Sequence, residues 1–152
     1  SVMSWCTWVG AYVSEAPTPV CDASKELGRR IGLAFQLMDD TLDFASTSDK
    51  DFLLDVKNGV VNSVILEWLE AHPSAYQNYI DGQDLADVFD SSDIDKCVKL
   101  VESTAYEHMD IASQCLETIS KHLISSGSDK KQVSELIAPV EFIMSFIIKR
   151  NH

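Results

Sequence analysis

Residues 35–43 constrain the fold most, because they join an apolar run to three carboxylates within five positions. On a helix, residues three and four apart lie on one face. A helical conformation would therefore collect the polar side chains of this segment into one stripe, which consists of Gln36, Asp39, Asp40 and Asp43. The apolar side chains between them remain available for packing. We predict a long helix over residues 21–45 that carries this acidic stripe near its end, with Asp22 or Ser24 as its cap.

Two interpretations of the acidic stripe are open on the residues alone. Like charges at this spacing cost roughly 0.2–0.5 kcal/mol per pair on an isolated helix, so the stripe needs either solvation or a cation nearby. Solvated acidic helix faces are common, and an Asp-Asp-x-x-Asp pattern by itself is a weak signal. Carboxylate oxygens also suit Mg²⁺, which binds through one or two carboxylates together with phosphate oxygens. The stripe is thus either a solvated face or a magnesium site.

The rest of the chain predicts further helices, over residues 2–13, 60–71, 74–80, 84–90, 92–125 and 130–150. No segment alternates with period two for long enough to form a strand, so the predicted fold class is all-α. Ser92 is expected to cap the longest helix, and Pro139 to bend the last one. Gly28 and Gly32 inside a helix indicate close packing against a neighbouring helix.

Apolar residues also recur at helical spacing on the first and the longest predicted helices. On the first helix they are Val2, Trp5, Val9 and Tyr12, and we expect this face to form core or a subunit contact. On the longest helix they are Val98, Val101, Ala105, Met109, Ala112 and Leu116. Both faces therefore predict packing surfaces.

Composition narrows the class of protein. A chain of 152 residues can form one domain with a real core. Its formal net charge of −12 argues against nucleic-acid binding but not against diphosphates, because Mg²⁺ can supply positive charge locally. The four cysteines show no Cys-x-x-Cys spacing, and we expect free thiols in a reducing compartment, the cytoplasm. The histidines share no zinc-like spacing, and the apolar runs are too short to span a membrane.

The acidic cluster stands in a longer motif. The run Gly-Arg-Arg-Ile-Gly-Leu-Ala-Phe-Gln at residues 28–36 precedes it, and Lys50, Asp55 and Gly59 follow it. This combination resembles the trans-isoprenyl diphosphate synthases, the polyprenyl synthetase family, in which a Gly-x-x-x-Gly-x-Ala-Phe-Gln run enters the second aspartate-rich motif. A Gly-Lys loop, an Asp-Leu pair and a glycine come next in that family. The resemblance is strong over residues 24–66 and continues more weakly to the carboxyl end.

The resemblance implies an all-α helical bundle around a central cavity. It also implies the Mg²⁺-dependent condensation of isopentenyl diphosphate with an allylic diphosphate, with release of pyrophosphate, in an enzyme that forms homodimers when full length. The metal ligands that it implies are Asp39, Asp40 and Asp43. Lys50 corresponds to the family's diphosphate-binding lysine, and Gln36 to the glutamine beside the allylic substrate.

Four further residues take roles by the same resemblance, and each has a plain alternative. Phe35 would line the prenyl cavity, although core packing explains it almost as well. Arg150 would reach the isopentenyl diphosphate, although a solvated terminus is the favoured interpretation of this residue. Asp55 and Lys57 could support the loop or be ordinary surface residues.

The chain also departs from the family pattern. The segment from Asp43 to Lys50 is shorter than usual, and Asp49 stands where a glycine commonly precedes the lysine. The first aspartate-rich motif, the Lys-Thr pair and the arginines of the family's amino-terminal half have no counterpart. We therefore expect residues 1–152 to be the carboxyl-terminal part of one isoprenoid-synthase domain, inactive when alone. A non-catalytic or partner subunit of a heteromeric prenyl synthase is the alternative, and a terpene cyclase of the same helical class is a third possibility.

Overall fold

The computed structural model describes residues 1–45, 56 and 58–149. Within these residues the regular structure is helical, and no strand occurs. The helices are α1 (Val2–Val13), α2 (Thr18–Ala45), α3 (Ser63–Ala71), α4 (Pro73–Ile80), α5 (Leu85–Val88), α6 (Ile94–Ser125) and α7 (Lys130–Lys149). The predicted all-α class is confirmed.

The described residues divide into two compact units. Unit 1 contains residues 1–36 and 105–149, and unit 2 contains residues 37–45, 56 and 58–104. Unit 1 therefore includes α1, most of α2, the second half of α6 and α7. Unit 2 includes the acidic end of α2, the helices α3 to α5 and the start of α6.

The start of α2 differs from the prediction. The helix begins at Thr18, three residues earlier than expected, and the amide of Cys21 donates to the carbonyl of Pro17 at 3.1 Å. Pro19 is tolerated in this first turn because the amides there have no helical partner to lose. The prediction of Asp22 or Ser24 as the cap is therefore wrong, since both residues lie inside the helix.

A side-chain cap sets the start of α3, and α6 starts directly after a residue with positive φ. α3 begins at Ser63 rather than at residue 60 because the Asn62 side chain accepts from the amides of Val64 and Ile65, at 3.2 and 3.0 Å. α6 begins at Ile94, directly after Asp93, whose φ is +61°. The prediction of Ser92 as the cap of α6 is therefore wrong.

The remaining boundaries are close to those predicted. α1 has the predicted bounds, and α4 begins at Pro73, one residue before the expected start. α5 covers only Leu85–Val88 of the predicted 84–90. The break before α7 is confirmed, with Gly127 at a φ of +99°, a conformation that glycine adopts without strain. Pro139 lies inside α7, and the bend at this position stays a prediction.

α1 packs on α2 through small residues. A Cβ atom added at Gly28 would overlap the Thr7 hydroxyl and the Met3 carbonyl oxygen, and would lie 2.7 Å from the Met3 carbonyl carbon. At Gly32 it would lie 3.1 Å from the Ser1 hydroxyl. The close packing that these two glycines predicted is therefore confirmed.

The apolar face of α1 does not form core within the described residues, and the alternative of a subunit contact stays a prediction. Val2, Trp5 and Tyr12 are 79%, 64% and 63% exposed. The small side of the helix, with Ser4 buried and its hydroxyl donating to the carbonyl of Lys25 at 2.9 Å, faces α2 instead. Small residues allow the two backbones to approach closely, whereas the side chains of Val2, Trp5 and Tyr12 are left largely exposed.

The predicted apolar face of α6 is buried. Val101, Ala105, Met109, Ala112 and Leu116 all lie in the core, and Val98 is half-buried. In unit 2, the core surrounds Trp68, whose side chain is 1% exposed. Its buried members are Val56, Val64, Ile65, Trp68, Leu69, Leu85, Cys97 and Val101. The indole N–H of Trp68 donates to the carbonyl of Ser92 at 3.0 Å, so this core includes a satisfied polar group.

Candidate functional site

The predicted acidic stripe lies on α2. Asp39 and Asp40 are half-buried, Asp43 is exposed, and Gln36 is exposed one turn earlier on the same helix. Asp39 and Asp43 are four residues apart, which places their side chains on one face. The expected helical placement of the stripe is confirmed.

The opposite side of this helix end is fixed in the core. Met38 and Thr41 are buried, and the Thr41 hydroxyl donates to the carbonyl of Met38 at 2.8 Å. Leu37 and Phe44 pack against the core of unit 2. Packing on one side therefore holds the three carboxylates on a supported helix rather than on a loop.

Asp40 also has a structural partner that the sequence analysis missed. Its Oδ2 accepts from the backbone N–H of Ser63 at 2.9 Å and from the Ser63 hydroxyl at 2.5 Å. Ser63 is the first residue of α3, where the helix dipole and unpaired amides favour a carboxylate. Asp40 thus joins the acidic end of α2 to the beginning of α3. Asn62 followed by an apolar run was the available signal that a helix starts here.

The carboxylates fit Mg²⁺ in their chemistry but do not form a closed cage. Among the described residues, no three or more His, Cys, Asp or Glu side chains come together as a metal-binding group. Mg²⁺ commonly keeps several waters and shares one or two carboxylates with substrate phosphates. Asp39 and Asp43, one helical turn apart, supply donors of that kind and number.

The structure gives less information about the other predicted site residues. Phe35 is half-buried in unit 1, which leaves its role at a prenyl chain a prediction. Lys50, Asp55, Lys57 and Arg150 lie outside the described residues. Their roles, and the closing of the segment that carries Lys50, stay predictions.

A second polar cluster, in unit 1, was not predicted. Arg29 binds Glu26 with two hydrogen bonds of 2.7 and 2.6 Å, and Arg30 Nε donates to Glu26 Oε1 at 2.6 Å. Arg30 Nη1 also donates to His108 Nδ1 at 2.8 Å. A guanidinium can only donate, so Nδ1 is the acceptor and the neutral imidazole carries its proton on Nε2. Sequence analysis missed the cluster because His108 is 78 residues away from Arg30.

The contacts of the cluster explain the pKa shifts of Glu26 and His108. Hydrogen bonds from Arg29 and Arg30 lower the pKa of Glu26 to about 2, which keeps this carboxylate charged. Burial lowers the pKa of His108, and the positive charge of Arg30 lowers it further. The cluster therefore holds a charged glutamate and a neutral histidine on either side of Arg30.

The predicted state of the cysteines is confirmed, since all four are free thiols. Burial raises the pKa values of the Cys97 and Cys115 thiols, which makes both poor nucleophiles. Among the helices that the structure describes, none combines the length and apolarity that crossing a membrane requires. The reducing compartment stays a prediction.

Comparisons with known proteins agree with the motifs. The polyprenyl synthetase family model matches residues 1–101. A prenyl transferase of Cyanophora paradoxa is 28% identical over 126 residues, which are 78% of this chain and 39% of the relative. The mitochondrial hexaprenyl pyrophosphate synthase of Saccharomyces cerevisiae is 28% identical over 149 residues, 93% of this chain and 29% of that protein.

A shorter match has a higher sequence identity. The chloroplastic/mitochondrial solanesyl diphosphate synthase 3 of Arabidopsis thaliana is 49% identical over 51 residues, 32% of this chain and 12% of the relative. Two of these relatives are named as mitochondrial or chloroplastic proteins, so the cytoplasmic location of this chain stays a prediction. The chain spans at most 39% of the length of these relatives. The family match covers well over half of the chain, and the chain therefore belongs to the polyprenyl synthetase family.

Proposed function

We propose that this chain is part of a prenyltransferase that condenses isopentenyl diphosphate with an allylic diphosphate and releases pyrophosphate. In this proposal residues 1–152 are the carboxyl-terminal part of one isoprenoid-synthase domain. One observation carries the proposal: a member of the polyprenyl synthetase family presents three aspartates on a supported helix end. The remainder of the cavity would come from sequence that has no counterpart in this chain.

Asp39 and Asp43 would hold Mg²⁺, and Asp40 would assist directly or through a water. Its Oδ2 already accepts from Ser63, so any metal contact of Asp40 would add to this structural role. When bound, Mg²⁺ would supply positive charge against the oxygens of the departing pyrophosphate. Because α2 is anchored by Met38 and Thr41, the carboxylates need little reordering when substrate arrives.

The other proposed residues bind and orient substrates. Gln36 would lie beside the allylic substrate, one turn before Asp39 and Asp40. Lys50 would donate to diphosphate oxygens, and Arg150 would pair with the isopentenyl diphosphate. Phe35 would form part of an apolar wall that keeps water away from the allylic cation.

A non-catalytic or partner subunit of a heteromeric prenyl synthase is the second candidate. The bond between Asp40 and Ser63 favours it, because at least one of the three carboxylates contributes to the fold. Asp39 and Asp43 favour the catalytic proposal instead, because two carboxylates one helical turn apart supply the oxygen donors that Mg²⁺ prefers.

The Asp39→Ala variant tests the proposal in the assembly that contains this chain. We expect turnover of an allylic diphosphate to fall by roughly 10²–10³-fold, as for the loss of one electrostatic group in an active site. Asp22→Ala is the matched control, because Asp22 is an exposed aspartate on the same helix. An unchanged rate in Asp39→Ala would remove this residue from the site.

Metal binding gives a readout that does not depend on turnover. Electron paramagnetic resonance of Mn²⁺, added with inorganic pyrophosphate, measures the fraction bound to the protein. Asp39→Ala should weaken this binding, whereas Asp22→Ala should not. Equal binding by both variants would favour the non-catalytic subunit.

A further inference from the structure

The Asp40 carboxylate is held by the first residue of α3. Its Oδ2 accepts from the Ser63 amide at 2.9 Å and from the Ser63 hydroxyl at 2.5 Å, across 23 positions of the chain. The cap of α3 is a different side chain, because Asn62 accepts from the amides of Val64 and Ile65. The hydroxyl of Ser63 therefore serves the carboxylate of α2 rather than the start of its own helix.

Both ends of this link are anchored in unit 2. Directly after Ser63, the side chains of Val64 and Ile65 are fully buried in the core. On α2, Met38 and Thr41 are buried on either side of the aspartates at 39 and 40. A carboxylate that is bonded between two packed helices has lost most of the rotamer freedom of an aspartate on an open helix face.

The same link places hydrogen-bond donors within a concentration of negative charge. Asp40 lies between Asp39 and Asp43 on α2, and like charges at helical spacing repel each other. α3 meets Asp40 with its amino-terminal end, where the helix dipole is positive. Without the donors of Ser63, repulsion would favour rotation of the Asp40 side chain toward solvent.

Orientation of this kind matters for metal binding. A ligand whose position is already fixed loses less entropy when it binds an ion. Loss of a side chain that orients a metal-binding group through a hydrogen bond typically weakens metal affinity by roughly 10–100-fold. The Ser63 hydroxyl stands in this relation to Asp40.

We propose that Ser63 is a positioning residue of the magnesium site, because its hydroxyl and amide fix the Asp40 carboxylate before the metal arrives. In this arrangement Asp39 and Asp43 are the main ligands, and Ser63 acts through Asp40 without touching the metal. The inference rests on the proposed function, since it requires that the acidic stripe binds Mg²⁺ together with a diphosphate.

Ser63→Ala tests the proposal in the assembly that contains this chain. Electron paramagnetic resonance gives the dissociation constant of Mn²⁺ in the presence of inorganic pyrophosphate. We expect this constant to rise roughly tenfold, the lower end of the range for a lost orienting partner, because the amide of residue 63 still donates to Asp40. Ser63→Thr retains a hydroxyl and should bind Mn²⁺ nearly as well as wild type.

Asn62→Ala is the matched control for the stability of α3. It removes the cap of the same helix but leaves both bonds between Asp40 and Ser63 in place. Urea denaturation should show that both alanine variants are less stable than wild type, whereas only Ser63→Ala should weaken Mn²⁺ binding. If circular dichroism shows that Ser63→Ala does not fold, Ser63→Val is compared with Ser63→Thr, because these two side chains share a shape and differ in the hydroxyl.

Three outcomes would overturn the proposal. Unchanged Mn²⁺ binding in Ser63→Ala would show that the hydroxyl does not order the site. Equal weakening by Asn62→Ala and Ser63→Ala would show that only the general stability of the helix start matters. Binding by Ser63→Thr as weak as that by Ser63→Ala would show that the hydroxyl is not the group responsible.

The positioning role and the proposed function fail in different ways. If Asp39→Ala weakens Mn²⁺ binding but Ser63→Ala does not, only the positioning role is contradicted. If both variants weaken binding but the wild-type assembly transfers no prenyl group, the proposed reaction is contradicted and the role of Ser63 stands. If Asp39→Ala binds Mn²⁺ as wild type does, the acidic stripe is not the metal site and both proposals fail.

Discussion

At the scale of single residues, Asp40 combines a predicted metal-binding role with an observed structural one. Its carboxylate accepts two hydrogen bonds from Ser63, 23 positions later in the chain. Asn62 supplies the ordinary cap of the same helix end, so α3 begins with two side-chain acceptors. The Asp40 carboxylate would therefore contribute to the stability of the fold as well as to metal binding.

Removal of the Asp40 carboxylate should destabilise the protein. We expect Asp40→Ala to lower the free energy of unfolding by about 1.5–3 kcal/mol, the usual range for hydrogen bonds to a charged group. Urea denaturation measures the change. A double-mutant cycle with Ser63→Ala should show that the two losses are not additive. Additive losses would show that the pair contributes no coupling energy.

The burial of His108 beside Arg30 should make stability depend on pH. The pKa of His108 is lowered in the folded protein, first by burial and then by Arg30, so the unfolded chain binds a proton more readily. Above about pH 6.5 both states are neutral at this residue and the contribution is constant. As pH falls through 6.5 toward the folded-state pKa, the free energy of unfolding should fall, by at most about 1.4 kcal/mol per pH unit.

Chemical denaturation at several pH values tests this expectation. The other charged groups at His108 are Glu26, Arg29 and Arg30 of α2 and Glu107 of α6. Glu26 titrates in a separate window, from about pH 4.5 down to about 2. His108→Gln keeps an acceptor but cannot titrate, and its stability should be nearly constant between pH 5 and 7. The same slope in wild type and variant would exclude His108 as the source.

At the scale of elements, the contact of α1 with α2 depends on the absence of a side chain at Gly28. Gly28→Ala would place a Cβ against the Met3 backbone, which cannot move without α1 as a whole. We expect a loss of about 1–3 kcal/mol in the free energy of unfolding, as for other overpacked contacts. Thermal or urea denaturation measures the loss.

Gly10→Ala is the matched control for this substitution. Gly10 lies inside α1, where an added Cβ would have no atom within 4 Å. The alanine should stabilise α1 by about 0.5–1 kcal/mol through helix propensity alone. Similar effects of the two substitutions would mean that the interhelical contact does not constrain residue 28.

The helices were predictable from sequence, and their packing was less so. Periodicity identified the helix of residues 2–13, the acidic stripe and the buried face of α6, because each depends on local spacing. The caps of α2 and α6 were predicted wrongly, because several polar residues near each start could serve and backbone geometry decides among them. The apolar stripe of α1 was found, but spacing does not reveal whether another helix covers it. The pairs Asp40–Ser63 and Arg30–His108 join residues that are distant in sequence, and no local pattern signals them.

At the scale of the whole molecule, the acidic end of α2 is the part of the proposed metal site that this chain supplies. We predict that the 152-residue chain alone elongates no allylic diphosphate, because the ligands that would face Asp39 and Asp43 have no counterpart in it. Incubation with radiolabelled isopentenyl diphosphate, an allylic diphosphate and Mg²⁺ tests this prediction. Measurable product from the isolated chain would contradict it.

Because of the positions of the three tryptophans, fluorescence can follow the two units separately. Trp5 and Trp8 belong to unit 1, and Trp68 is enclosed in the core of unit 2. A variant with phenylalanine at positions 5 and 8 would emit from Trp68 alone, and its fluorescence would follow the melting of unit 2 only. Comparison with the emission of a Trp68→Phe variant would tell whether the halves melt together or in succession, without an added dye.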